Sequence, residues 1–283
     1  MATTPPAAPM LFDRALLLQR QLRASRHPAD FLLMRVNDEM EERLGAVMRK
    51  FEHVADVWTP GEGLQIRLWR GLQVPIARPA EPSGFVAETL PLAAESLDLA
   101  VSALAFQFVN DLPGVLAQIR RALKPDGLLL AAMLGGDTLT ELRQSFAAAE
   151  AECEGGVSPR VAPFADLRDI GALLQRAGFA LPVTDVDRVV VRYASAFALM
   201  ADLRRMGATN VLRERRHTLT RRATMLRMAQ LYAERFADAD GRIRATFDIV
   251  WLSGWAPHES QQKPLKPGSA KASLEAAVKQ AKR

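Results

Sequence analysis

The chain has little with which to cross-link itself or hold a metal. One cysteine, Cys153, excludes an internal disulfide, and the four histidines His27, His53, His217 and His258 fall at no metal-ligand spacing. No metal site is expected. A lone thiol suits a reducing cytosol, so a cytoplasmic location is expected. Glu152 and Glu154 flank Cys153 and oppose a thiolate, which argues against a nucleophilic cysteine. Long apolar runs are missing too. The uncharged stretches Leu99–Asn110 and Gly127–Gly136 fall short of the roughly 18–20 residues a membrane-spanning helix needs, and nothing resembles the positive start and apolar run of a signal peptide.

Positive charge is in excess, at +5 with a pI near 9.7, and its location decides what it means. Residues 263–283 carry six basic side chains against Glu275, which is the whole surplus and leaves 31 of each sign in 1–262. The body therefore has no general field for phosphate, and nucleic acid is a disfavoured partner. One concentration remains: Arg204, Arg205, Arg213, Arg215, Arg216, Arg221, Arg222 and Arg227, with Asp202 and Glu214 the acids near it in sequence. It suits a solvated helical face or a surface for an acidic protein. No aromatics are interleaved for base stacking.

At 49% hydrophobic and 24% charged, the composition is that of a globular chain. Residues 1–11 are rich in proline and alanine and read as a disordered leader, 12–262 as one domain, and 263–283 as a basic flexible tail. Two helices come first, with apolar residues at helical spacing from Phe12 to about Phe51 and a break at His27-Pro28. Arg14, Arg20, Arg23 and Arg26 resemble a mitochondrial presequence, but Asp13, Asp30 and the orderly spacing favour a structural helix. Strand-like runs then alternate with helices: Val54–Trp58, Leu72–Ala77, Phe85–Glu88, Leu97–Leu104, a helix at Pro113–Leu123 and a strand at Gly127–Leu134. That order predicts a parallel sheet with helices on its faces. At the joint Leu123–Leu130, Pro125 stops the helix, Gly127 is expected to take positive φ, and a doubly buried strand follows. Helices are expected at Asp137–Glu150 and Ala165–Gly178, a strand at Val183–Tyr193, a helical cap at about 195–240, and a last strand at Arg244–Trp255. Trp251 and Trp255 read as packing residues on that strand.

In open α/β sheets ligands sit beyond the carboxyl ends of the strands. The first such turn reads Asp56-Val57-Trp58-Thr59-Pro60-Gly61-Glu62-Gly63, where Gly61 and Gly63 let backbone amides approach a ligand and Pro60 removes one donor. The acid expected to hold ribose hydroxyls has Glu81, between two prolines, as its candidate. The interval from Asp56 to Ser102 is short for its strands and crossovers, so the first half of the sheet is abbreviated.

Leu97–Ser102 (LDLAVS), Val109–Pro113 (VNDLP), Leu123–Leu130 (LKPDGLLL) and Gly135–Leu139 (GGDTL) resemble the class I S-adenosylmethionine (SAM)-dependent methyltransferases. Glu154–Pro163, Leu199–Asn210, Asp240–Phe247 and Gly254–Gln261 narrow the resemblance to bacterial relatives of the respiratory complex I assembly factor that hydroxylates arginine. The malonyl-carrier-protein methyltransferases are cousins. The resemblance implies a Rossmann-like α/β sandwich with N-terminal helices and a cap, SAM as cofactor, and a protein substrate or client such as a complex I subunit. It leaves open methyl transfer or hydroxylation, a chaperone that has lost SAM, and methylation of an acidic carrier protein docked on Arg215 and Arg216. It places Asp56, Gly61 and Gly63 at the cofactor turn and Glu88 near the adenine side. Ala103, Leu104 and Gln107 fall beside the methionine end. Asp137 is expected either in the pocket or as a helix cap, and Tyr193, Asp202 and Asn210 are candidate substrate contacts.

Overall fold

The computed structural model describes residues 10–64, 68, 76–77 and 88–262. The leader before Met10, most of the Leu72–Ala77 and Phe85–Glu88 runs, Glu81 and the basic tail lie outside the described residues. Helix α1 (Arg14–Ala24) starts where the Asp13 carboxylate accepts the Leu16 N–H, and α2 (Phe31–Gly45) buries Leu32, Val36, Met40 and Leu44 along one stripe. Arg14 is buried and donates to the Phe108 carbonyl, so it belongs to packed structure.

Among the described residues six strands form one sheet: β1 (Val54–Asp56), β2 (Ile76–Ala77), β3 (Leu97–Ala103), β4 (Leu123–Gly135), β5 (Ala180–Tyr193) and β6 (Ile243–Trp255), in the order β2-β1-β3-β4-β6-β5. The first four in that order pair parallel. β6 runs antiparallel to both neighbours, a departure from the all-parallel expectation. Its cause is the connection: α6 (Ala196–Arg205) and α7 (Arg222–Phe236) follow the carboxyl end of β5, and the chain turns straight back down between β4 and β5.

One face of the sheet packs against α2, α4 (Thr140–Glu154), α6 and α7. The other face packs against α3 (Leu112–Ala122) and α5 (Leu167–Arg176). Both of the latter helices are encoded locally. Asp111 accepts the Gly114 N–H and Asp166 the Arg168 N–H, and Gly178 closes α5 at φ +85°. The α3–β4 joint differs in detail from its expectation. Asp126, at φ 63°, takes the left-handed conformation, while Gly127 is needed because a Cβ there would lie 2.9 Å from the Lys124 carbonyl.

Candidate functional site

Beyond the carboxyl ends of β1, β3 and β4 lies a cavity of about 840 Å³, within the roughly 300–1,000 Å³ range of small-molecule sites. Its floor is the turn Pro60–Gly63, with Leu104 and Gln107 after β3, Leu134 at the end of β4 and Leu139 after it. The N-terminal helices wall it through Leu33 and Asn37, and the cap through Met200 and Met206.

Side-chain hydrogen bonds strap the turn to the sheet. Asp56 is fully buried and accepts the Thr59 N–H at 3.4 Å, Thr59 Oγ1 accepts the Ala103 N–H at 2.8 Å, and Ser102 Oγ donates to the Val57 carbonyl at 2.8 Å. Trp58, at φ 62°, turns its indole to the opposite face of the sheet, where the Arg14 guanidinium lies 5.2 Å from the ring centroid. The indole therefore leaves the cavity open. Gly61 has φ +70° and lines the cavity, and among the described residues nothing lies within 4 Å of where a Cβ would stand. The Gln107 amide donates to the Leu104 carbonyl at 2.6 Å and accepts the Leu134 N–H at 3.4 Å, which fixes the carboxyl ends of β3 and β4 to each other.

Gly61, Gly63, Leu104 and Gln107 thus come together on one wall, and Asp56 and Ala103 lie beneath it as supports. Other expected site residues are used elsewhere. Buried Glu88 accepts the backbone N–H groups of Asn110 and Asp111, at 3.0 and 2.8 Å, and pairs with Arg14, leaving it no part in the cavity wall. Asp137 does not cap α4, whose N-cap is Leu139. Its carboxylate pairs with Arg188 at 2.8 Å, and its N–H donates to Asp248. The Gly135-Gly136 pair is there for close packing, since a Cβ on Gly135 would meet Val250 at 2.5 Å and one on Gly136 would meet Asp248 at 2.7 Å. Asp248 is nearly enclosed; burial would raise it, but hydrogen bonds from Arg188 and the Asp137 N–H hold it below the usual carboxylate range.

Tyr193 is buried off the cavity wall with its hydroxyl unpartnered, and burial together with Asp202 pushes it up to about 12. Asn210 borders the cavity, but its amide is taken by the Pro159 carbonyl and the Leu212 N–H. The arginine concentration is less free than its sequence neighbourhood suggests. Arg215 lies 3.6 Å from Asp13, Arg216 pairs with Glu154, Arg227 with Glu152 and Arg205 with Asp202. The fold brings in acids from the start of the domain and from the carboxyl end of α4, where glutamates need such partners against the helix dipole. Sequence reasoning missed Asn37. Its signal is a polar residue beside the Val36–Met40 stripe of α2.

Among the described residues no group of three or more metal-ligating side chains occurs, and no helix is long and apolar enough to cross a membrane.

A family model described as a methyltransferase domain matches residues 79–131. A Mus musculus protein named arginine-hydroxylase NDUFAF5, mitochondrial, is 38% identical over 293 residues, covering 96% of this chain and 85% of that protein. Its Danio rerio namesake is 45% identical over 187 residues, 66% of this chain, and the match spans only 58% of that relative's length. A malonyl-[acyl-carrier protein] O-methyltransferase of Xylella fastidiosa is 42% identical over 171 residues, 60% of this chain and 56% of that one. The solved YcgJ protein of Bacillus subtilis shares the fold, with a TM-score of 0.50 at 13% identity over 80% of this chain and 99% of that one. The expected cytoplasmic location is overturned by the Mus musculus and Danio rerio relatives, which are named as mitochondrial proteins. A single cysteine excludes an internal disulfide and does not fix a compartment. Identity sustained along most of the mouse protein, on this sheet, shows that the chain belongs to the arginine-hydroxylase NDUFAF5 family, built on a Rossmann-like class I methyltransferase fold.

Proposed function

We propose that the cavity binds S-adenosylmethionine and that the chain modifies a side chain of a protein client in respiratory complex I assembly. The modification is methyl transfer from SAM, with S-adenosylhomocysteine leaving, or arginine hydroxylation, the activity in its relatives' name. The latter replaces a side-chain hydrogen by a hydroxyl group and takes an external oxidant such as dioxygen with two electrons from an external donor, the second oxygen atom leaving as water. The observation that carries the cofactor reading is the glycine turn at Gly61 and Gly63, which lines an 840 Å³ cavity whose described lining does not include the Trp58 indole. When bound, SAM supplies a methyl group activated by its sulfonium. Gly61 and Gly63 let the turn backbone approach the ligand, Leu104 and Gln107 form the wall beside it, and the apolar sides keep water out. In this class of site the protein works mainly by positioning, so an acid–base pair need not be present. The carrier-protein alternative draws less support, because Arg215 and Arg216 already have internal partners.

Calorimetry with SAM and S-adenosylhomocysteine is the direct test: saturable micromolar binding is expected, and no heat at millimolar ligand removes the cofactor and leaves an assembly scaffold. Mass spectrometry of complex I subunits from cells with and without the protein then distinguishes an added oxygen atom from an added methyl group. If client arginines carry neither in cells that have the protein, the enzymatic assignment falls.

A further inference from the structure

Asn37 is 3% exposed, lies inward on α2 beside Val36 and Met40, and has a side-chain oxygen with no hydrogen-bond partner. Buried amide oxygens left unmatched cost about 1–3 kcal/mol, and each such exception needs an explanation. Packing does not supply one. The nearest approach to Gly63 is loose, since a Cβ added there would stand 3.5 Å from Asn37 Nδ2, an ordinary contact. A leucine of similar outline would extend the residues that α2 already buries, Leu32, Val36, Met40 and Leu44. What is special about the position is that Asn37 borders the cavity at the same place as Pro60, Gly61 and Gly63.

We infer that Asn37 is a cofactor-binding residue, its carboxamide accepting a hydrogen bond from a hydroxyl or ammonium group of the ligand held over the Gly61–Gly63 turn. This rests on the cofactor reading above. The amide can turn about its last side-chain bond to present oxygen to the cavity, and its mate then comes from the ligand. The helix that covers the site would thereby read the cofactor directly.

The test measures S-adenosylhomocysteine affinity and melting temperature on the full chain for wild type, Asn37→Leu and Asn37→Asp. Asn37→Leu is expected to bind about tenfold more weakly while melting at the same or a higher temperature, because it loses an acceptor and gains an apolar fit. Asn37→Asp keeps an acceptor oxygen and should stay within a few-fold of wild type. Repeating the titrations with 5′-methylthioadenosine, which keeps the ribose hydroxyls and lacks the amino-acid ammonium, locates the contact. A Leu penalty on both ligands assigns it to the ribose, and a penalty on the homocysteine form alone assigns it to the ammonium. Unchanged affinity in Asn37→Leu overturns the inference and leaves the cofactor reading standing. Failure of the wild type to bind either ligand sinks both.

Discussion

The two halves of the sheet are built differently. β4, β5 and β6 run for 13 or 14 residues each, whereas among the described residues β1 and β2 contribute three and two. The long half holds itself by ladder pairing and burial. The short half, which carries the cavity floor, adds to its ladders and burial a few side-chain hydrogen bonds, made by Thr59 and Asp98 as acceptors and Ser102 as donor. Leu129 sits fully buried in β4, so Leu129→Ala should cost about 2–5 kcal/mol in urea denaturation. Ile76, half-buried on the outermost strand β2, should cost about 1 kcal/mol or less when cut to alanine. Equal costs would erase the distinction.

Two glycines sharpen the same contrast. In Gly135→Ala the new methyl would press on Val250 at 2.5 Å and on the Ala165 carbonyl at 3.1 Å, an overpacking of about 1–3 kcal/mol. Gly61→Ala meets no atom but must hold φ +70°, which costs about 1–2 kcal/mol. Ligand binding should rank them the other way, with Gly61→Ala weakening S-adenosylhomocysteine several-fold and Gly135→Ala leaving it nearly unchanged. Thermal melts and titrations on the same samples would show whether stability and binding separate in this manner.

Acid should strike the short half first. Burial would raise the Asp98 carboxyl, but hydrogen bonds from Lys124, the His53 side chain and the His53 and Glu52 N–H groups hold it at about 2. A carboxylate depressed in the folded state adds stability above its unfolded value, about 3.9, and loses it as pH falls through the folded one. The window is therefore about pH 4 down to pH 2, and the contribution about 1–2 kcal/mol. Asp98→Asn should be less stable at neutral pH by that amount and show a flatter acid limb; an unaltered limb would assign the loss to other groups.

How much of this is legible in the sequence follows from distance along the chain. Capping by Asp111 and Asp166, the stop at Pro125 and the cap of α5 at Gly178 are local, and each is readable from a few neighbouring residues. The turn that carries Gly61 and Gly63 after β1 is readable for the same reason. The fates of Asp137, Glu88, Arg215 and Arg216 depend on Asp248, Asn110, Asp13 and Glu154, partners that only folding brings near. The Gly-Gly-Asp run is specific as a pattern, yet the specificity serves packing against β6. β6 itself was legible as a strand, while its direction depends on how the cap returns the chain.

The smallest effect concerns α2, which joins the two halves. One side of it reaches the cavity floor through Asn37, and its charged side reaches the long edge strand β5 through Arg35–Asp187 at 2.8 Å and Arg43–Asp185 at 2.9 Å. Arg43 also lies 4.3 Å from the centroid of the Trp251 ring on β6. All four ionic groups remain substantially exposed, so a double-mutant cycle on either pair should return a coupling of only about 0.2–1 kcal/mol, shrinking with added salt. Their role is then geometric: they set where α2 sits over the turn without contributing much to folding. If that is right, Arg35→Ala with Arg43→Ala weakens S-adenosylhomocysteine binding by more than its stability cost alone would suggest, and the loss grows as salt is removed from the wild-type comparison. A stability change that fully accounts for the binding change would show instead that the long half holds α2 through its apolar stripe alone.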